Sequence, residues 1–307
     1  LCELFIFSSY NLCGLTVSLE KSMSPSELNK ARARYGVMGN PIGHSKSPMI
    51  HALFAEQTGQ NLSYEAILVE LGAFGGAVAA FRAAGGKGLN VTVPFKRDAW
   101  KLVEERSPCA ELAGAVNTIV MREDGTLFGD NTDGVGLVRD IRDNLGITLA
   151  GKRVLLLGAG GAVRGVLGPI LQEGPTTVVI ANRTPARAQE LADAFEEHGT
   201  TEGCSFDELD GSRFDIVING TSASLKGEAP PLPDALLAPG ALCYDMMYAA
   251  EPTAFMVWAD DHNSSHIADG LGMLVEQAAE SFLIWRGVKP QTAPVIAAVR
   301  AALNQTR

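Results

Sequence analysis

KRVLLLGAGGAVRG, residues 152–165, decides the fold. Four consecutive apolar residues, Val154 to Leu157, run into a glycine turn and then into a small-residue helical segment. Strand, tight turn and helix in that order are what a dinucleotide site needs. Gly158 makes the turn, Gly160 lets the backbone approach a pyrophosphate, and the next helix supplies N–H groups and the positive end of its dipole. Ala159, Gly161 and Ala162 complete the loop. The third glycine of G-x-G-x-x-G falls at Val163, so the match is partial and Gly161 is expected to permit close packing instead.

The end of the following strand reads IANRT. A cofactor with a free 2′-hydroxyl usually meets Asp or Glu there. This chain has Asn182, Arg183 and Thr184, with Arg187 one helical turn on. Arginine pairs with a phosphate through two parallel hydrogen bonds, whereas an acid repels it, so the stretch favours NADP over NAD. A solvated helix start is the plainer reading, but cations there oppose the helix dipole and are not explained by helix stability.

Outward from the loop, strands alternate with helical stretches, the pattern of a largely parallel α/β sheet. Downstream come TTVVIANRT, a helix from Pro185 to His198, FDIVINGTS, the linker-like loop KGEAPPLPDALLAPG, ALCYDMMY, a long apolar-faced helix in GLGMLVEQAAESFLIWRGVKP and a last helix. Upstream, RYGVMG and SYEAILVE read as strands, SPMIHALFAEQTG as a helix capped by Ser47 with Pro48 first inside it, and LGAFGGAVAAFRAAG as a small-residue helix. NVTVPFK (90–96) alternates like a half-buried strand, breaks at Pro94 and delivers Lys96; Asp98–Ala115 reads as helix, then a hairpin, and GDNTDG opens a further helix. Two α/β lobes joined near Asp133 are expected.

With 307 residues, 46% hydrophobic and 20% charged, the chain has the composition of an ordinary globular protein. A formal charge of −10 argues against a nucleic-acid surface, though a few placed cations and N–H groups can still hold an anion. The five cysteines are scattered, with no Cys-x-x-Cys pair, and read as reduced thiols of a cytoplasmic protein without a metal site. Residues 1–33 lack the basic start and continuous apolar run of a signal peptide and read as a disordered extension, Met23 being a candidate start. No stretch has the roughly 20 apolar residues of a membrane span.

Taken in order, GNPIGHSKSPMIH, GLNVTVPFK, LAGAVNT, GDNTDGVG, GAGGAVRG, ANRT, CYDMMY and ADGLGMLVEQA give the chain from about Tyr35 onward a resemblance to the shikimate dehydrogenase family. The resemblance implies reversible reduction of 3-dehydroshikimate to shikimate by hydride from NADPH, in aromatic amino-acid biosynthesis. It also implies that the last helices return to the first lobe, giving 34–132 plus 270–307 for a substrate-binding lobe and 133–269 for a Rossmann-type NADP-binding lobe. A hydride arriving at a ketone leaves negative charge on oxygen, which needs a proton donor or cation beside it. Lys96 is the candidate. By resemblance Asp133 sits opposite; proton transfer by Lys96 and charge stabilisation alone both stay open, and helix capping is the plain reading of Asp133.

Ser45 and Ser47 could bind the substrate carboxylate with their hydroxyls at a helix start. By resemblance Thr92, Asn117, Tyr248 and Gln277 also face the substrate, with Asn90 and Thr132 as further donors and acceptors, while Gly270 and Met273 lie where the last helices cross the cofactor. His44 is expected to have a structural task. Two departures from the family pattern stand out: Ala223 and Ser224 where a glycine is expected, and AAEPTAF after Tyr248, with proline displaced and lysine missing. The competing readings are a quinate or dual quinate/shikimate dehydrogenase, a non-catalytic NADP-binding redox sensor, and a two-lobed amino-acid or folate dehydrogenase. The paired Lys96 and Asp133 disfavour the sensor, and GHSKSP with NVTVPFK disfavours the last. A monomer or homodimer is expected.

Overall fold

The structure is a computed structural model that describes residues 32–221, 223 and 227–305. The extension expected over 1–33 therefore lies, up to residue 31, outside the described residues, as does Ser224; Ala33 already belongs to the first strand.

The first half contains β1 (Ala33–Gly39), α1 (Ser47–Thr58), β2 (Leu62–Leu68), α2 (Phe74–Ala83), β3 (Gly86–Val91), α3 (Lys96–Leu102), β4 (Glu105–Arg106), α4 (Pro108–Ala113), β5 (Thr118–Met121) and β6 (Leu127–Asp130). Its six strands form one sheet in the order β2-β1-β3-β5-β6-β4. β1 runs parallel to both β2 and β3, and β5 is antiparallel to β3 and β6. β1 is buried over its last five residues, which is why it reads as a run without alternation.

The helix expected from Asp98 to Ala115 is broken. Val103 is extended, and Ser107, forced out of the helical region by the following Pro108, caps the new helix α4 by accepting from the Ala110 N–H at 3.1 Å.

After α5 (Asp133–Arg139), which passes into a π-turn over Asp140–Asn144, the second half alternates regularly. It contains β7 (Arg153–Leu157), α6 (Gly161–Gln172), β8 (Thr177–Ala181), α7 (Pro185–Asp193), β9 (Thr201–Cys204), β10 (Phe214–Asn219), β11 (Leu237–Asp245), α8 (Ala254–Asp261) and β12 (His266–Asp269). These six strands are all parallel, in the order β12-β11-β10-β7-β8-β9. The order reverses beside β7, at the loop quoted first, and such a switch point is where open α/β sheets bind ligands. Two boundaries differ from expectation: the helix from Pro185 ends at Asp193 with a 3₁₀ turn at Glu196–His198, and Leu237–Gly240 of the linker-like loop is already strand.

The chain closes with α9 (Leu271–Arg286) and α10 (Ala293–Asn304). Both return to the first sheet: Leu271, Val275, Phe282, Val295 and Val299 bury with Tyr35, Ile50 and Phe54 in one cluster. At about 2 kcal/mol for each large side chain, that burial is enough to hold the last helices on the first half. α9 also packs on α5, where a side chain at Gly136 would reach to 2.7 Å of the Gln277 backbone N. Only glycine lets the two helices close there, and Gln277 is carried to the cleft by that contact.

Candidate active site

β3 ends at Val91, earlier than NVTVPFK suggests. Residues 92–95 turn, with the Phe95 N–H donating to the Thr92 carbonyl at 3.0 Å and a cis bond before Pro94, and Lys96 is the first residue of α3. Phe95, buried and stacked on Phe74 at 5.2 Å, anchors the turn, and the Lys96 carbonyl accepts from Val116 N–H at 2.9 Å. Lys96 therefore stands on a fixed backbone.

Asp133 opens α5 in the same way. Its Oδ2 lies 2.5 Å from Lys96 Nζ, and its Oδ1 accepts from Asn117 Nδ2 at 2.8 Å. The capping reading of Asp133 is thus corrected: Thr132 holds the cap position without a side-chain bond, Asn131 Oδ1 accepts from the Asp133 N–H at 3.2 Å, and the Asp133 carboxylate points to Lys96 instead. Side-chain exposures of 29% and 13% leave this pair open to the cleft. A pair with that much exposure is worth about 1 kcal/mol or less in stability, so what it provides is a placed ammonium.

Behind the pair lies a buried polar wall. Asn90 Nδ2 donates to Ser281 Oγ at 2.9 Å and Thr118 Oγ1 at 3.1 Å, and Tyr64 Oη donates to Asn90 Oδ1 at 2.7 Å. Asn117 Oδ1 accepts from the Thr132 N–H at 2.9 Å, fixing which end of the amide faces Asp133. Thr132 is part of this wall and does not line the cavity. Thr118 and Ser281 escape the sequence reading because each is a lone hydroxyl in an apolar run, TIVM and AESFLIW. Their burial is the signal.

A cavity of about 350 Å³ opens in front of the pair. Ser45, Ser47, Thr92 and Asn117 line it with Lys96 and Asp133, as do Tyr248, Gln277 and Asn90, so the expected substrate residues other than Thr132 are brought together. Ser47 does not cap α1: Lys46 holds that position, and Ser45 Oγ accepts from the Ser47 N–H at 3.3 Å. The turn preceding Ser47 already has helical backbone angles, which moves the helix start. Burial pushes the Tyr248 phenol above its ordinary range, so it enters the cavity as a protonated donor. Gly270 and Met273, expected at the cofactor, line this same cavity, with Met246, which sequence reasoning did not single out. His44 also reaches its rim.

A second cavity of about 480 Å³ is lined by Gly158, Ala159, Gly160, Gly161, Ala162, Asn182, Arg183 and Arg187. Gly158 sits at φ +102°, where other residues are strained, and a Cβ on Gly160 or Gly161 would meet nothing within 4 Å. The loop is thus an open cradle before a helix N-terminus with two guanidinium groups on the same cavity wall, and these residues fit a phosphorylated dinucleotide. Thr184 does not line it; it holds the cap position of α7, and its carbonyl accepts from Asn182 Nδ2 at 2.9 Å. Ala223, the first departure, does line it.

His51 lies behind the substrate cavity, stacked on Tyr64 at 4.1 Å and 1% exposed, with Nε2 lacking any partner among the described residues. Burial pushes it down from 6.5 to about 3. The folded protein therefore keeps His51 neutral while the unfolded chain protonates below pH ~6.5, so the contribution is complete above that value and is lost as pH falls towards 3. At pH ~5 the loss is about 2 kcal/mol. Urea denaturation at pH ~7.5 and ~5 is expected to show this extra loss in the parent protein and not in His51→Phe, which keeps the stack and has no nitrogen to protonate. Equal losses in both would remove the assignment.

Comparison with known proteins agrees with this geometry. Residues 37–119 match the shikimate dehydrogenase substrate binding domain, 140–226 match shikimate / quinate 5-dehydrogenase, and 270–300 match the shikimate 5′-dehydrogenase C-terminal domain. The shikimate dehydrogenase (NADP(+)) of Alkalilimnicola ehrlichii is 64% identical over 87% of this chain and 98% of its own. Among solved structures, an Ael1 enzyme from Pseudomonas putida is 48% identical with a TM-score of 0.82, covering 87% of this chain and 97% of its own. Shikimate 5-dehydrogenase from Thermus thermophilus, in complex with NADP(H) and shikimate, is 34% identical with a TM-score of 0.79, covering 88% of this chain and 100% of its own. With three family segments in order along the chain and so close a full-length relative, the chain belongs to the shikimate dehydrogenase family.

Proposed function

We propose that the protein is an NADP-dependent shikimate dehydrogenase that interconverts 3-dehydroshikimate and shikimate. The observation that carries this reading is the Lys96–Asp133 pair, 2.5 Å apart on the wall of a small polar cavity. NADPH, when bound, supplies a hydride. The protein's own residues do the rest. Lys96 offers its ammonium to the oxygen that gains charge, Asp133 holds the ammonium in place, and Asn117 holds Asp133. Ser45, Ser47 and Tyr248 offer hydroxyls to the substrate carboxylate, and Thr92 and Gln277 address its ring hydroxyls. Gly158–Ala162 cradle the pyrophosphate, and Arg183 and Arg187 take the 2′-phosphate, with Asn182 and Thr184 beside them on the cofactor. Gly270 and Met273 form the border where the two ligands meet.

In this reading residues 34–132 with 270–307 form the substrate-binding domain and 133–269 the NADP-binding domain. The enzyme works in the cytoplasm as a monomer or homodimer, in aromatic amino-acid biosynthesis; among the described residues no helix is long and apolar enough to cross a membrane. Product analysis tests the assignment. Incubation of shikimate with NADP(+) is expected to give a compound two hydrogens lighter, in step with cofactor reduction. An unchanged substrate from folded protein that binds NADP would favour the redox-sensor reading, and conversion of quinate in preference would favour a quinate dehydrogenase.

A further inference from the structure

A cavity of about 680 Å³ adjoins the dinucleotide cavity, sharing Ala159, Gly160, Gly161 and Arg187 with it, and extends between α3 and α4 on one side and α6 and α7 on the other. Arg97 and Lys101 of α3 line it, and so do Gly160 and Gly161, the two loop glycines whose missing side chains leave open space. Arg97 and Lys101 are four residues apart on one helix and so share a face. Both are exposed, and among the described residues neither makes an ion pair. Glu111, an acid of the same wall, stands 3.9 Å from Arg106, while Glu190 is the other acid. Arg164 lines it as well, with its Nε donating to the Leu112 carbonyl at 3.1 Å.

Two unpaired cations on one face of a helix, across an open gap from an anion cradle, have a use that stability does not explain. Like charges at that spacing cost a few tenths of a kcal/mol in an isolated helix.

We propose that Arg97 and Lys101 form a second clamp on the cofactor, reaching from the substrate side across the cleft to its pyrophosphate. The inference rests on the assignment of the glycine loop to a dinucleotide. The clamp makes cofactor affinity depend on both halves of the chain, and links closing of the cleft to cofactor occupancy. Because the pyrophosphate is common to both nicotinamide cofactors, the clamp serves NAD and NADP alike, unlike Arg183.

Calorimetric binding of NADP and of NAD to the full chain, without substrate and at about 20 and 200 mM salt, tests this with no reliance on activity. Arg97→Ala/Lys101→Ala is expected to weaken both cofactors by a similar factor, about five- to twentyfold at low salt, and to flatten the salt dependence. Inorganic pyrophosphate is expected to compete with NADP less well in the variant. Unchanged affinities and slopes overturn the proposal, and loss confined to NADP moves the two residues to the 2′-phosphate instead. Failure of the parent protein to bind either cofactor would instead strike at the dinucleotide assignment itself. Both side chains are exposed, so misfolding does not confound the test.

Discussion

Lys96→Ala is expected to lower turnover by about 10³-fold while leaving the dissociation constant for NADP within about twofold. Removing a positioned proton donor costs 10²- to 10⁴-fold, and removing a group aimed at a developing oxyanion costs about the same. The cofactor should not notice. Lys96 lines the substrate cavity, whereas Arg183 and the glycine loop line another. Asp133 keeps its bond to Asn117 Nδ2 at 2.8 Å in the variant and is not left without a donor. Thermal stability should therefore change little. Lys96→Arg is expected to recover binding of shikimate better than turnover, because a guanidinium holds charge but is a poor proton donor and a wider group. Rapid kinetics beside equilibrium cofactor titration gives both quantities. Equal loss of turnover and cofactor affinity would mean that Lys96 supports the fold and not the reaction.

Arg183→Ala is expected to weaken NADP by about 10- to 100-fold and NAD by no more than about twofold. A charge-assisted hydrogen bond to phosphate contributes about 1.5–3 kcal/mol, and only NADP carries the 2′-phosphate to receive it. Arg183 is exposed at the end of β8, so its loss leaves no buried group unpaired. Arg187 stays on the same cavity wall in the variant and should retain part of the preference. Unchanged discrimination between the two cofactors would take this role away from Arg183. Set beside the proposed cation clamp on α3, the two expected results differ: Arg183→Ala should change which cofactor is preferred, and loss of Arg97 and Lys101 should change how tightly either is held.

The second half of the chain was legible because its parallel strands are buried on both faces and so read as plain apolar runs, VLLL and TVVIA, with glycine or polar residues at their ends. The approach of Lys96 to Asp133 was not legible from local pattern, since 37 positions and three strands, β4, β5 and β6, separate them. It followed from the ordered set of motifs. Where the reading failed, the reasons are local or concern burial. Pro108 extends Ser107 and breaks the helix expected from Asp98 to Ala115, and the turn at Lys46 is already helical, which takes Ser47 off the cap. Thr118 and Ser281 are polar at core positions, which no periodicity marks as a site. Thr184 holds the cap position of α7, where its carbonyl accepts from Asn182 Nδ2 at 2.9 Å and from the Arg187 N–H at 3.1 Å.

One set of initial rates, followed by absorbance of the reduced nicotinamide with shikimate or quinate crossed against NADP or NAD, tests the assignment most directly. Fast reduction with shikimate and NADP, at least tenfold above the other three combinations, is the predicted result. Equal or greater rates with quinate or with NAD, or no rate in any combination from folded protein, would contradict it.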